Sequence, residues 1–197
     1  VLMLHLQNTV HVIYRILEAE TRPRLELRPA FYFRHYECAV NEGLPAPYHL
    51  SAIEGQYEVS AAQSELPPLR MKLADDNAQF TVSPQSIHQV FYRVEQSRGY
   101  AYEGELWSPG FFVADMQERD VAAIIASTEA WDIINVLTPE AALAAEEERR
   151  AKMLDEALPE ARSKFAAELV FAGDQFIITP AGRFEEAARA HAAGDEV

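Results

Sequence analysis

Asn8-Thr9-Val10-His11-Val12-Ile13-Tyr14-Arg15-Ile16-Leu17 decides the fold class. Val10, Val12, Tyr14 and Ile16 fall on one side of an extended chain; Thr9, His11, Ile13 and Arg15 fall on the other. Alternation built from β-branched and aromatic residues specifies a strand. The next segment repeats the message. Arg24-Leu25-Glu26-Leu27-Arg28 alternates charge with leucine between Pro23 and Pro29. That is the pattern of a half-buried strand in an antiparallel sheet, leucines inward and charges outward.

Short extended runs continue along the chain. Ala30 to Tyr36 is rich in aromatics and either prolongs the strand before it or opens a loop. Gly43, Pro45 and Pro47 make Asn41 to Pro47 a loop. Tyr57 to Ser60 is a short strand, and Leu69 to Leu73 alternates again after Pro67-Pro68. Asp75-Asp76-Asn77 has turn chemistry, which predicts a hairpin with Phe80-Thr81-Val82 as the partner. Ile87 to Val94 is the next strand, broken at Gly99, and Ser108-Pro109-Gly110 reads as a further turn. Phe111-Phe112-Val113 and Val121 to Ser127 flank the polar Gln117-Glu118-Arg119-Asp120. Many short strands separated by turns predict a mainly β fold, an antiparallel β-sandwich.

The character changes at Thr138-Pro139-Glu140. Thr138 suits a cap, Pro139 the first helical position, and Glu140 the positive end of the helix dipole. Ala141 to Leu158 is made of good helix formers, and Glu146-Glu147-Glu148-Arg149-Arg150 reads as its solvated face. Pro159 ends or kinks this helix. Phe165, Leu169, Ala172 and Phe176 then mark one face of a second helix, stopped by Pro180. Arg183 to Ala193 forms a third, with Gly194 ending it. The expected division is a β-sandwich over residues 1–137 and a helical tail over 138–197.

With 49% hydrophobic residues, the 197-residue chain can bury a real core. Val1-Leu2-Met3-Leu4-His5-Leu6 is apolar but lacks a basic flank and a cleavage site, so a strand is expected there rather than a signal peptide. No run is long enough to span a membrane. The net charge of −14 disfavours nucleic acid and anionic membrane as partners and places no penalty on a neutral polysaccharide. Cys38 is the only cysteine, which rules out an intrachain disulfide and suits a reducing compartment. Its simplest role is a small packed side chain.

Residues that could carry chemistry are few. Glu103 and Glu105 lie two apart on one strand, with Cα atoms about 6.5–7 Å apart. Glycosidases need two carboxylates that straddle the scissile bond, and a same-strand pair rarely does so. Structural or surface roles are therefore expected for both. Trp107 and Trp131 offer flat faces on which a sugar ring could stack, although aromatics serve cores more often; Trp107 is the candidate substrate contact. The cluster Phe31-Tyr32-Phe33-Tyr36 divides the same way, with packing favoured. His11, His35, His49 and His88 lie in no nucleophile or zinc motif, and no glycine-rich phosphate loop is present. No metal and no cofactor is expected.

Two stretches carry a family resemblance: Arg98-Gly99-Tyr100-Ala101-Tyr102-Glu103-Gly104-Glu105-Leu106-Trp107-Ser108-Pro109-Gly110, and Ala166-Ala167-Glu168-Leu169-Val170-Phe171-Ala172-Gly173-Asp174-Gln175-Phe176-Ile177-Ile178. They resemble the N-terminal region of bacterial and archaeal glycogen debranching enzymes of the amylo-α-1,6-glucosidase type. Asn8 to Arg15, Arg24 to Pro29, Arg34-His35-Tyr36 and Glu146 to Arg150 are similar to further segments of that region, in the same order. The resemblance implies a supersandwich-like β domain followed by a linker and the start of a helical catalytic domain. It implies that the chain begins partway through the β domain, and that the catalytic α/α barrel begins beyond Val197. No catalytic residue is carried onto this chain, and the chain alone is expected to be inactive. Hydrolysis of α-1,6 branch points in glycogen or limit dextrin, in the cytoplasm, is implied for the parent enzyme. A free-standing α-glucan-binding or protein-interaction module is the alternative. An incomplete β domain would leave a sheet edge unpaired, which makes self-association plausible.

Overall fold

The computed structural model describes residues 1–62, 64–75, 78–116 and 121–176. Nine strands form two antiparallel sheets among these residues. The first six strands are β1 (Leu2–Met3), β2 (Thr9–Arg15), β3 (Arg24–Leu27), β4 (Tyr48–Ile53), β5 (Gln56–Ala61) and β6 (Leu69–Ala74). β7 (Gln79–Phe91), β8 (Glu103–Asp115) and β9 (Val121–Ser127) follow. One sheet has six strands in the order β1-β2-β9-β6-β5-β4, and the other has three in the order β3-β8-β7. Val59, Met71, Leu73 and Ala122 from the larger sheet meet Phe112 and Ala114 from the smaller in one buried cluster. Leu25 and Leu27 join it while Arg24 and Glu26 face solvent, as their alternation predicts.

β2 departs from the simple inside-outside scheme. Ile16, just after it, packs on the core, yet Thr9 and His11 on its other face are its most buried residues. The register explains this. His11 and Lys72 both oppose Ile125, and Thr9 and Arg70 both oppose Ser127, so these residues share the outer face of the sheet. The segment after β9 lies over that face. It contains the short helix α2 (Trp131–Ile134), whose Ile134 is buried, and Asn135, whose amide oxygen accepts from Lys72 Nζ.

Three expectations need correction. β4 was not foreseen; it pairs with β5 through a two-residue turn at Glu54 (φ 50°) and Gly55 (φ 78°). Positive φ at both central residues is the hairpin geometry that follows the twist of the strands. Phe80-Thr81-Val82 is not the hairpin partner of Leu69–Leu73. β5 and β9 already occupy both edges of β6, and Phe80 instead opposes Phe112 in the other sheet. Ser108-Pro109-Gly110 is not a turn but the buried middle of β8. Pro109 lies opposite an irregularity of β7, between Val82 and Gln85, and bulges are among the places where a sheet accepts proline. Gly110 has φ 153°, and a Cβ on it would lie 2.0 Å from the Thr81 carbonyl oxygen.

β7 also continues through Ile87 to Phe91, with a second irregularity between Ile87 and Val90, where Gln89 has φ 58°. The short helix α1 (Arg93–Ser97) follows, and Gly99 (φ 76°) turns the chain back into β8. Gln117–Asp120, Asp76-Asn77, Pro180 and the expected third helix lie outside the described residues.

Contacts divide the chain into two units, Val1–Ala142 and Leu143–Val197. Helix α3 (Pro139–Glu156) begins in the first. Its cap is as the sequence predicts: the Thr138 hydroxyl accepts from the Ala141 N–H at 3.2 Å, and Pro139 takes the first helical position. The second unit holds the rest of α3, a 3₁₀ turn at Pro159–Ala161 and α4 (Lys164–Asp174). Arg149 grips Glu146 with Nε and Nη2 and Asp174 with Nη1, each contact at 2.8 Å. The Arg150 guanidinium sits 4.2 Å from the centre of the Phe171 ring.

Candidate functional site

The loop between β3 and β4 meets the end of the three-stranded sheet in a cluster of depressions. Aromatic packing anchors this end. Phe31 and Trp107 exchange both backbone hydrogen bonds at 2.9 Å, extending the sheet by one bridge. Trp107 stacks on Tyr48 at 4.6 Å with planes 8° apart, and Phe31 and Phe33 pack edge-on around them. Burial raises the pKa of the Tyr48 phenol, which stays neutral at ordinary pH. Trp107 is thus partly buried in the aromatic cluster, with one ring face covered by Tyr48.

Arg34 organises the loop itself. Its Nη1 donates to the carbonyls of His35, Tyr36 and Cys38 at 3.3, 3.2 and 2.8 Å. The Tyr32 hydroxyl donates to the Glu42 and Gly43 carbonyls at 2.8 and 3.3 Å. Val40 is buried, and its carbonyl lies where a Cβ on Gly104 would sit, so the loop closes directly onto β8. A cleft of about 480 Å³ results between the Arg34–Val40 segment and the Glu95–Ala101 segment. A second, open depression of about 330 Å³ is lined by Asn41, Glu42, Gly43, His88, Gln89, Glu103, Gly104 and Glu105.

The sequence candidates disperse over this frame. Glu105 bonds His88 Nδ1 at 2.7 Å, and both side chains remain well exposed. Glu103 is exposed beside them. The two glutamates come from one strand with only Gly104 between them, so they offer no opposite walls for a sugar ring. The Glu105–His88 pairing is a solvated contact of the kind that contributes about 0–1 kcal/mol. Trp131 is the half-buried first residue of α2. His11, His35, His49 and His88 lie on β2, the loop, β4 and β7, respectively. Among the described residues, no group of three or more His, Cys, Asp or Glu converges as metal ligands would, and no helix is long and apolar enough to cross a membrane.

The cluster Phe31-Tyr32-Phe33-Tyr36 divides. The first three are at least partly buried, whereas Tyr36 is 88% exposed. Arg98 and Tyr100, which carry no chemical motif in the sequence, line the same cleft as Tyr36. Their only signal was position: they open the stretch Arg98 to Gly110, just after the helix that the cleft needs as a wall.

This architecture is that of a two-sheet antiparallel β domain with a helical extension. A family model described as glycogen debranching enzyme N terminal matches residues 1–123. The chain belongs to this family. No curated protein and no solved structure matches it.

Proposed function

We infer that the chain is the non-catalytic N-terminal portion of a glycogen debranching enzyme that hydrolyses α-1,6-glucosidic branch points. The family match over residues 1–123 carries this reading. In it the β-sandwich is a scaffold for an α/α-barrel catalytic domain, and the tail from Thr138 onward is the linker and the start of that helical domain. The stripe on α4 supports the second part. Phe165 and Leu169 are 76% and 57% exposed, and Phe176 just beyond is 85% exposed. Apolar side chains at helical spacing want a partner surface, and a following helical domain supplies one. The single cysteine supports a cytoplasmic setting. Trp107 stays in this proposal as a glucan contact through the part of its ring that Tyr48 leaves uncovered.

Two measurements test the reading. The isolated chain should release no glucose from a branched limit dextrin; release that Glu103→Gln or Glu105→Gln abolishes overturns it. The native polypeptide should have a mass several times the 22.2 kDa of this chain. A native mass near 22.2 kDa would instead favour a free-standing glucan-binding or protein-interaction module.

A further inference from the structure

We propose that the cleft between the Arg34–Val40 segment and α1 binds the glucose units of an α-glucan chain, with Tyr36, Arg98 and Tyr100 as its contact residues. The substrate class rests on the debranching-enzyme reading; the site rests on geometry.

The first observation is construction. Three carbonyls of the loop are tied to one guanidinium nitrogen of Arg34. The facing wall is tied by its own backbone, with Arg98 N–H donating to Val94 and Glu95, and Tyr100 N–H donating to Glu95 at 3.0 Å. Both walls are set before a ligand arrives, which lowers the ordering cost of binding. The volume of about 480 Å³ falls in the range of small-ligand sites.

The second observation is the lining. Tyr36 and Tyr100 are 88% and 64% exposed, so their rings are not consumed by packing. Exposed rings at the mouth of a polar cleft suit a ligand with one apolar face and many hydroxyls. Arg34 and Arg98 are matched in the same lining by Glu37 and Glu95. A balanced lining in a chain of net charge −14 does not attract an anion. It suits a neutral ligand whose neighbouring hydroxyls both accept from a guanidinium and donate to a carboxylate. Two residues beyond Tyr100, the Tyr102 ring packs edge-on against Phe91 at 5.6 Å, and both keep exposed surface. Aromatic surface is therefore available beyond the cleft for a chain longer than one sugar.

Cys38 lines the cleft and is the only cysteine, which provides a reporter. The test is the alkylation rate of Cys38 by iodoacetamide in the 197-residue chain, alone, with maltoheptaose, and with inorganic phosphate. Maltoheptaose should slow the reaction several-fold, and phosphate should not. Arg98→Ala and Tyr100→Ala should abolish the protection. Tyr36→Ala, at a side chain too exposed to matter for folding, should weaken both the protection and retardation in a glycogen-containing native gel. Unchanged alkylation with maltoheptaose overturns the proposal, as does protection by phosphate alone. Full glycogen retardation of the Tyr36, Arg98 and Tyr100 variants also overturns it, while leaving the debranching-enzyme reading in place with its glucan contact elsewhere. That reading falls separately, on the native mass.

Discussion

Tyr48 and Trp107 stack at 4.6 Å across the gap between the two sheets, one from the start of β4 and the other from the middle of β8. The pair, with Phe31 and Phe33 around it, holds the end of the sandwich on which the loop is built. Trp107→Ala should cost about 3–5 kcal/mol, as large aromatic truncations in cores do. Trp107→Phe should cost clearly less. Urea unfolding measures both. If Trp107→Phe keeps its stability but loses retardation by glycogen, the ring also contacts sugar.

Gly110 predicts a second large effect. A side chain there meets the Thr81 carbonyl and must adopt φ 153°. Gly110→Ala should destabilise the domain by at least about 2 kcal/mol. Gly43, with open space around it, is the control, and Gly43→Ala should stay within about 0.5 kcal/mol. Thermal melts of the two variants should separate clearly.

His11 makes stability depend on pH. The ring is 1% exposed, and its Nδ1 finds no hydrogen-bond partner among the described residues. Burial first, and the nearby Lys72 charge second, lower its pKa from 6.5. The unfolded chain therefore takes up a proton on His11 at a higher pH than the folded chain does. Stability is full above about pH 6.5 and declines as pH falls below it. Carboxylates stay mostly ionised down to about pH 5, which leaves a window in which His11 dominates. Urea midpoints should drop between those limits, and His11→Gln should flatten the slope. A wild-type slope retained in His11→Gln would refute the assignment.

Arg149 is the fastener of the helical unit. Asp174 ends α4, where a negative charge is opposed by the helix dipole, and the guanidinium offsets it. Its contacts with Glu146 and Asp174 raise the arginine pKa further. Arg149→Lys cannot reproduce three directed donors. It should lower the protection of α4 amides in hydrogen exchange several-fold while leaving β8 and β9 unchanged.

β1 pairs with only Val10 and His11 of β2, so the flank of Val12 to Arg15 has no strand partner among the described residues. Self-association of the isolated chain through this flank is expected. Light scattering should show an apparent mass that rises with concentration. A constant monomer mass would count against it.

Periodicity made part of this fold legible. Thr9–Arg15, Arg24–Leu27 and Val121–Ser127 are strands because their own residues alternate or branch at Cβ, and Thr138-Pro139 caps a helix by local chemistry alone. β4 was hidden because Glu54-Gly55 is a quiet hairpin signal beside the louder prolines. The partner of Phe80 was hidden because pairing depends on which edges of β6 are free, which no local pattern records. The buried outer face of β2 depends on a segment more than a hundred residues later. The cleft was the least legible part. Tyr36 and Tyr100 look like any tyrosines until the Arg34 loop and the Glu95–Ala101 segment are set facing each other.

In a regular strand Trp107 and Phe112, five positions apart, would face opposite ways, yet both belong to the packed interior. The handover occurs within Ser108 to Phe111, and it locks two aromatic clusters into a fixed phase. Losing or gaining a single residue in that stretch would rotate one cluster out into water while the other stayed in place. Length in these few residues is thus as constrained as composition, and lineages of this domain should tolerate substitutions there far more readily than indels.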